Sequence, residues 1–261
     1  MIGVFDSGIG GLTVVKALQA QLPGYDIVYF GDTARTPYGS KSPATVLNYA
    51  IQNTEFLLAH QARIIVMACN TASSVATAQI SANYDAPLFE VITPAVELAL
   101  AQTLRGRIGV VGTRATINSD VYAQKITALR PDVQVYSRAC PLLVPLVEEG
   151  WLTRPETAMI VKKYLHPLKI RQIDTLILGC THYPLLAKIM AHKIGRHVNL
   201  IDSASAVAHH IKLFLEESPQ LRASLGRNDR SAYFVSDLTE QFRTTARQVL
   251  KRPIELQLIR L

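Results

Sequence analysis

Only three cysteines, Cys69, Cys140 and Cys180, occur in 261 residues. So sparse and odd a set argues against the disulfide scaffold that holds small secreted domains together. There is no CxxC or HExxH pairing, and Cys180, His182 and the distant Cys69 lack diagnostic zinc spacing, so no metal is expected. No apolar run approaches the eighteen or so residues of a membrane span. The opening MIGVFDSGIGG lacks the basic region and apolar stretch of a secretory signal. These absences predict a cytoplasmic protein with no membrane contact. Charge is thin at 18% and slightly basic, with 27 Lys and Arg against 20 Asp and Glu, a net +7. The basic residues are scattered, in runs no longer than pairs such as Lys162-Lys163, with no aromatic interleaving. That pattern suits solubility and small anions better than nucleic acid, and no nucleic-acid partner is expected.

What is present is core material: 49% of the residues are hydrophobic. Short apolar runs (IGVF, DIVYF, RIIVMA, LFEVI, RIGVV, VQVYS, TLILG, VNLI) alternate with stretches of helical period. In GLTVVKALQAQLP, Leu12, Val15, Leu18 and Leu22 share one helical face before Pro23-Gly24 ends it. Strand–helix alternation of this kind predicts an α/β fold of parallel sheets covered by helices. The chain also repeats itself. IGVFDSG from Ile2 matches IGVVGTR from Ile108, DIVYFGD from Asp26 matches DVQVYSRA from Asp132, and IIVMACNTA from Ile64 matches LILGCTHYP from Leu176. Three pairs in one order predict two pseudo-symmetric lobes.

The third pair aligns Cys69 with Cys180, each at the end of a predicted strand and just before a helix. That edge of an open α/β sheet is where ligands bind. Pro184 is expected as the first residue of its helix, with Leu185, Leu186 and Ile189 buried, and Thr71 and Ser73 are natural N-caps after Cys69. A thiol beside a helix N-terminus has its anion favoured by the end N–H groups. Polar neighbours follow both thiols, Asn70-Thr71 and Thr181-His182, and burying them unpaired costs about 1–3 kcal/mol each, so they are expected to face a cleft. Cys140, in RACPLLVP, reads as a small buried residue. Asp6-Ser7 precede Gly8-Ile9-Gly10-Gly11, a turn whose amides are expected to meet an anion. The Lys-Ser/Thr of a phosphate loop is missing. Pro37-Tyr38-Gly39 reads as a tight turn, either displayed to a substrate or a plain surface aromatic. Thr113 and Thr116 occupy the second lobe's counterpart of the Asp6 loop, as substrate contacts or as helix caps. The remaining histidines (His60, His166, His192, His197, His209, His210) lie in helix-like or polar contexts.

Two thiols on opposite lobes suit proton transfer at one carbon from two faces, which a racemase requires. A thiol with a reference pKa of about 8.5 cycles readily near neutral pH. The lysines read as polar helix faces, none at a strand end where a pyridoxal Schiff base would sit, so no cofactor is expected.

FDSGIGGLTV, GDTARTPYG, ACNTAS, CPLLVPLVEEG and LGCTHYP, in this order, strongly resemble the glutamate racemases, over essentially the whole chain from Ile2. The family more often has Ala where Ser74 stands. The resemblance implies cofactor-independent interconversion of L- and D-glutamate, supplying D-glutamate for peptidoglycan. Cys69 would take the α-proton from D-glutamate and Cys180 from L-glutamate, assisted by Asp6, His182 and Glu148, with Glu149 the lesser candidate. It also implies substrate contacts at Asp6, Ser7, Tyr38, Gly39, Asn70, Thr71, Thr181 and His182. Thr113 and Thr116 are added as weaker contacts. Residues 1–93 plus 204–261 should form one lobe and 94–203 the other, with hinges at the joints. Some relatives respond to a cell-wall precursor, and a monomer or a homodimer both fit. Three rival readings stand beside this one. They are an aspartate or hydantoin relative with the same thiol pair, a cysteine hydrolase using Cys180 and His182, and a two-lobed binding protein. The hydrolase leaves Cys69 unexplained, and residues two apart on a turn are expected to align poorly as nucleophile and base.

Overall fold

The computed structural model describes residues 1–260. Among the described residues ten strands form: β1 (Ile2–Asp6), β2 (Ile27–Gly31), β3 (Ile64–Met67), β4 (Leu88–Glu90) and β5 (Arg107–Gly112), then β6 (Gln134–Ala139), β7 (Thr175–Gly179), β8 (Asn199–Asp202), β9 (Ser231–Val235) and β10 (Leu256–Leu258). They build two sheets. One runs β10-β9-β2-β1-β3-β4, the other β6-β5-β7-β8. Every pairing is parallel, as the strand–helix alternation predicts. The order β2-β1-β3-β4 has its counterpart in β6-β5-β7-β8, so the three sequence pairs fall on equivalent strands. The pseudo-symmetric two-lobe α/β expectation holds.

The helices nearest the sheet ends that matter below are α1 (Gly11–Gln21), α2 (Pro43–Ala59), α3 (Asn70–Asn83), α4 (Ile92–Gln102), α5 (Arg114–Asn118), α6 (Val121–Leu129) and α7 (Leu143–Glu148). Further along lie α8 (Pro155–Ile170), α9 (Ala187–Ile194), α10 (Ser203–Glu217), α11 (Pro219–Ser224) and α12 (Glu240–Leu250). Alternate side chains of each central strand enter different cores. Ile2 and Val4 join a large cluster containing Leu12, Val15 and Leu18 of α1 and Val207 and Ile211 of α10, while Phe5 enters a second with Phe30, Leu57 and Met67. In β7, Leu176 and Leu178 reach the large cluster and Ile177 a third, with Val96, Ile108 and Ile126. The large cluster includes residues that pack on both sheets, and the chain crosses between them through β4–α4 and β8–α10.

Several local expectations need correction. After Cys180 the chain first makes a 3₁₀ turn, Tyr183–Leu186, with Pro184 its second residue, and α9 starts only at Ala187. The buried side there is Leu186, Met190 and Ile194, four residues apart, whereas Leu185 and Ile189 are half-buried. Neither Thr71 nor Ser73 caps α3. The helix begins at Asn70, with Cys69 at the cap position, and the Ser73 hydroxyl donates to the Met67 carbonyl at 3.0 Å.

Candidate active site

Parallel sheets put the C-terminal ends of β1, β3, β5 and β7 on one side of each lobe, and the two sets of ends face each other. Between them lies a cleft lined by Ser7, Tyr38, Gly39, Cys69, Asn70, Thr71, Thr113, Cys180, Thr181 and His182, together with Pro37 and Val144. The chain has brought its two matching cysteines to one place. Each thiol is 5% exposed. The cleft encloses about 10 Å³, room for one water at most.

Three glycines let the lobes approach this closely. A Cβ on Gly10 would lie 2.3 Å from Thr181 Oγ1 and 2.6 Å from His182 Nδ1, and one on Gly39 would lie 2.4 Å from Thr113 Cβ. One on Gly8 would fall 2.6 Å from Glu148 Oε1. Hydrogen bonds then cross the gap. Thr181 Oγ1 donates to Asp6 Oδ1 at 3.2 Å, and Tyr122 Oη donates to Asn70 Oδ1 at 2.6 Å. The hydroxyls of Thr71, Thr113 and Thr116 form a ring of contacts at 2.9, 3.0 and 3.2 Å.

The two thiols sit in unlike surroundings. Cys180 Sγ is 3.7 Å from His182 Nδ1, and His182 Nε2 is 2.6 Å from Glu148 Oε1. Burial works against charge on His182, yet the hydrogen bonds to Cys180 and Glu148 outweigh it and hold the imidazole well above its usual pKa. Burial likewise opposes charge on Glu148, and the bond to His182 keeps its carboxyl below the usual range. The imidazolium therefore donates to both neighbours, with Nδ1–H aimed at the sulfur. Cys69 has the Ser7 hydroxyl at 3.8 Å and the Ala72 amide of the first turn of α3 as partners. Burial dominates, the nearby Asp6 charge adds to it, and the thiol is pushed up to about 12. The helix end was expected to favour the anion here, and its amide does so, but desolvation is the larger effect.

Asp6 departs from expectation too. Its Oδ2 accepts from the Gly8 amide at 3.0 Å and the Gly11 amide at 2.9 Å, and the Ile9 amide points at Glu148 Oε1 at 3.4 Å. Three of the four turn amides expected to meet a ligand anion thus face the protein's own carboxylates. Burial raises the Asp6 carboxyl, opposed by His182 and these donors. An open donor lies elsewhere. Asn70 Nδ2 is buried with no partner among the described residues, on a residue that lines the cleft.

A family model described as Asp/Glu/Hydantoin racemase matches residues 10–211. The chain belongs to the Asp/Glu/Hydantoin racemase family. The glutamate racemase of Chlorobaculum tepidum is 46% identical over 249 residues, covering 93% of this chain and 89% of that one. A crystal structure of the Francisella tularensis glutamate racemase in complex with D-glutamate superposes with a TM-score of 0.91 at 38% identity, covering 99% and 96% of the two chains. That of the Escherichia coli glutamate racemase in complex with L-glutamate and activator UDP-MurNAc-ala gives 0.81 at 26% identity, covering 99% and 98%.

As a member of this racemase family the protein is an isomerase, and its thiol pair sits where the repeat placed it. Tyr38 is not a surface aromatic: it is buried and lines the cleft, and its hydroxyl donates to Asp32 and accepts from Asn53 Nδ2 at 3.0 Å. Thr113 caps α5 by accepting from the Thr116 amide at 3.2 Å and also lines the cleft, while Thr116 is buried behind it. Glu148 holds His182, and Glu149 is exposed. Cys180 and His182 were expected to align poorly, and the turn brings them together instead, because His182 opens the 3₁₀ turn that folds back toward the sulfur. Cys140 is buried, with its thiol likewise raised to about 12, mainly by burial. Sequence reasoning missed Tyr122, Asp32 and Val144. Tyr122 lies 52 residues from Asn70, and no spacing rule links them. Among the described residues no three His, Cys, Asp or Glu side chains are grouped to hold a metal ion, and no lysine lines the cleft.

Proposed function

We propose that this racemase interconverts L- and D-glutamate by two-base α-proton transfer between Cys69 and Cys180, supplying D-glutamate for peptidoglycan. The observation that carries the reading is the pair of cysteines, on equivalent strands of two lobes, lining one cleft. A thiolate on one face takes the α-proton, and the C–H electron pair stays on the substrate as an enediolate-like anion. The thiol on the other face then gives its proton to the same carbon. Cys69 takes the proton from the D-isomer and Cys180 from the L-isomer. His182, held by Glu148, donates to Cys180. Asp6 acts on Cys69 through its charge, with no direct hydrogen bond, and holds the Gly8–Gly11 turn.

Asn70 Nδ2, the Thr71 and Thr181 groups and the end amides of α3 supply donors for the substrate carboxylates, with Ser7, Tyr38, Gly39, Thr113 and His182 completing the contacts and Thr116 supporting Thr113 from behind. The cleft lining offers no lysine to carry a pyridoxal Schiff base. The relative bound to D-glutamate supports glutamate over aspartate or hydantoins as substrate. The cysteine hydrolase reading gains the Cys180–His182 contact but gives Cys69 no task.

We place the first lobe at 1–93 plus 204–261 and the second at 94–203, because β9 and β10 extend the first sheet. The joints act as hinges, since a cleft of about 10 Å³ has to part before an amino acid enters. A cell-wall precursor is a candidate activator by likeness to the Escherichia coli relative. The working protein is a cytoplasmic monomer or homodimer. Proton NMR of D-glutamate in D₂O with purified protein and no added cofactor tests the reading. Loss of the α-proton signal is expected, with the L-isomer appearing by chiral chromatography, and persistence of the signal for both isomers would overturn it.

A further inference from the structure

We infer that Tyr122 is a positioning residue that orients the Asn70 amide toward the substrate carboxylate and does so only when the lobes are closed. The inference rests on the glutamate reading above and adds a residue to it. Asn70 starts α3 beside Cys69 and is 2% exposed. Its amide has two ends with opposite chemistry. The oxygen end accepts from Tyr122 Oη at 2.6 Å, and the nitrogen end is buried without a partner among the described residues. A buried donor left unpaired is costly, and here it belongs to a residue that lines the cleft, where an anionic substrate would satisfy it.

Flipping the amide would turn its oxygen to the cleft and repel that anion. In the observed arrangement the Tyr122 phenol, kept protonated by burial, donates to the amide oxygen and so leaves the nitrogen end for the cleft. The ring is held from behind as well. A Cβ on Gly179, the residue before Cys180, would lie 3.1 Å from Tyr122 Cε2, so the tyrosine packs against the end of the strand that presents the second thiol. Asn70 follows β3 of the first sheet, and Tyr122 stands on α6 beside the second. The bond therefore exists only across the closed cleft, and it ties the binding of the carboxylate to closure.

The test is a set of steady-state rates with both glutamate isomers for the unsubstituted protein, Tyr122→Phe, Asn70→Ala and the double variant, with thermal unfolding of each. Loss of one orienting hydrogen bond is expected to raise KM about five- to tenfold for both isomers, with kcat changed less than twofold. Because Tyr122 works through Asn70, the double variant should match Asn70→Ala alone. An unchanged KM in Tyr122→Phe, or effects that multiply in the double variant, would overturn the inference while leaving the glutamate reading intact. If the unsubstituted protein turns over neither isomer, both fall. Should Tyr122→Phe lose its unfolding transition, the comparison moves to Asn70→Asp. Asn70→Asp keeps an acceptor for Tyr122 but offers the substrate a carboxylate, and a KM for it no higher than that of the unsubstituted protein would also overturn the inference.

Discussion

At the scale of single residues the two thiols differ in company. Cys180 has an imidazolium at 3.7 Å, whereas Cys69 has a hydroxyl, a helix amide and an unfavourable carboxylate. Glu148 sustains that difference. Glu148→Gln should lower the His182 pKa, so the alkaline limb of the pH–rate profile moves to lower pH. The rate at neutral pH should fall about tenfold or more. Because the two isomers are equal in free energy, kcat/KM must fall equally in both directions. Stability follows with a defined sign. His182, raised above 6.5, contributes fully below that pH and loses its contribution as pH rises through the folded-state value. Glu148, lowered from 4.5, contributes above that pH and loses its contribution as pH falls through its folded-state value. Urea unfolding should find Glu148→Gln less stable by about 1.5 kcal/mol near neutral pH, and the deficit should shrink in strong acid. The cysteines and histidine could be read from the sequence because they follow apolar runs in matching order. The use Asp6 makes of its own loop's amides could not, because a residue that ends a strand gives no sign that it will accept from the helix start five residues later.

At the scale of elements, glycine-bearing turns and short helix starts decide how closely the lobes meet. Gly10→Ala tests this. Gly10 has ordinary helical dihedrals (φ −60°, ψ −35°), so the added methyl meets no local backbone strain, only Thr181 and His182 across the cleft. The variant should keep its unfolding temperature within a few degrees and lose about 10²-fold in kcat/KM, the scale of a 1 Å misplacement of reacting groups. Thr113 joins a helix to the cleft. Thr113→Ala removes the α5 cap and one side of the hydroxyl ring, and calorimetry should show a loss of about 1 kcal/mol. The strand pattern was plain because parallel strands buried on both faces read as continuous apolar runs. Helix starts were less so. Ser73 looks like a cap in sequence, but its hydroxyl lies inside the first turn and bonds back to Met67.

At the scale of the whole molecule, a repeated half-sheet places like residues on opposite sides of one space, and closure of that space creates the site. Contacts such as Tyr122 with Asn70 and Gly39 with Thr113 belong to this scale, and local sequence cannot report them because each joins one lobe to the other. Substrate entry requires opening, so D-glutamate should protect the amides around Asn70 and Thr181 from hydrogen exchange. It should also raise the unfolding temperature with concentration, the added stability reaching about 2.7 kcal/mol at a hundred times Kd. The central claim is that each thiol serves one face of the substrate, and α-proton exchange in D₂O tests it most directly. Cys69→Ser and Cys180→Ser should each abolish racemisation in both directions. The Cys69→Ser protein should still exchange the α-proton of L-glutamate, and Cys180→Ser that of D-glutamate, with exchange at the other isomer down by 10²-fold or more. Equal exchange of both isomers by either single variant would contradict the two-thiol account.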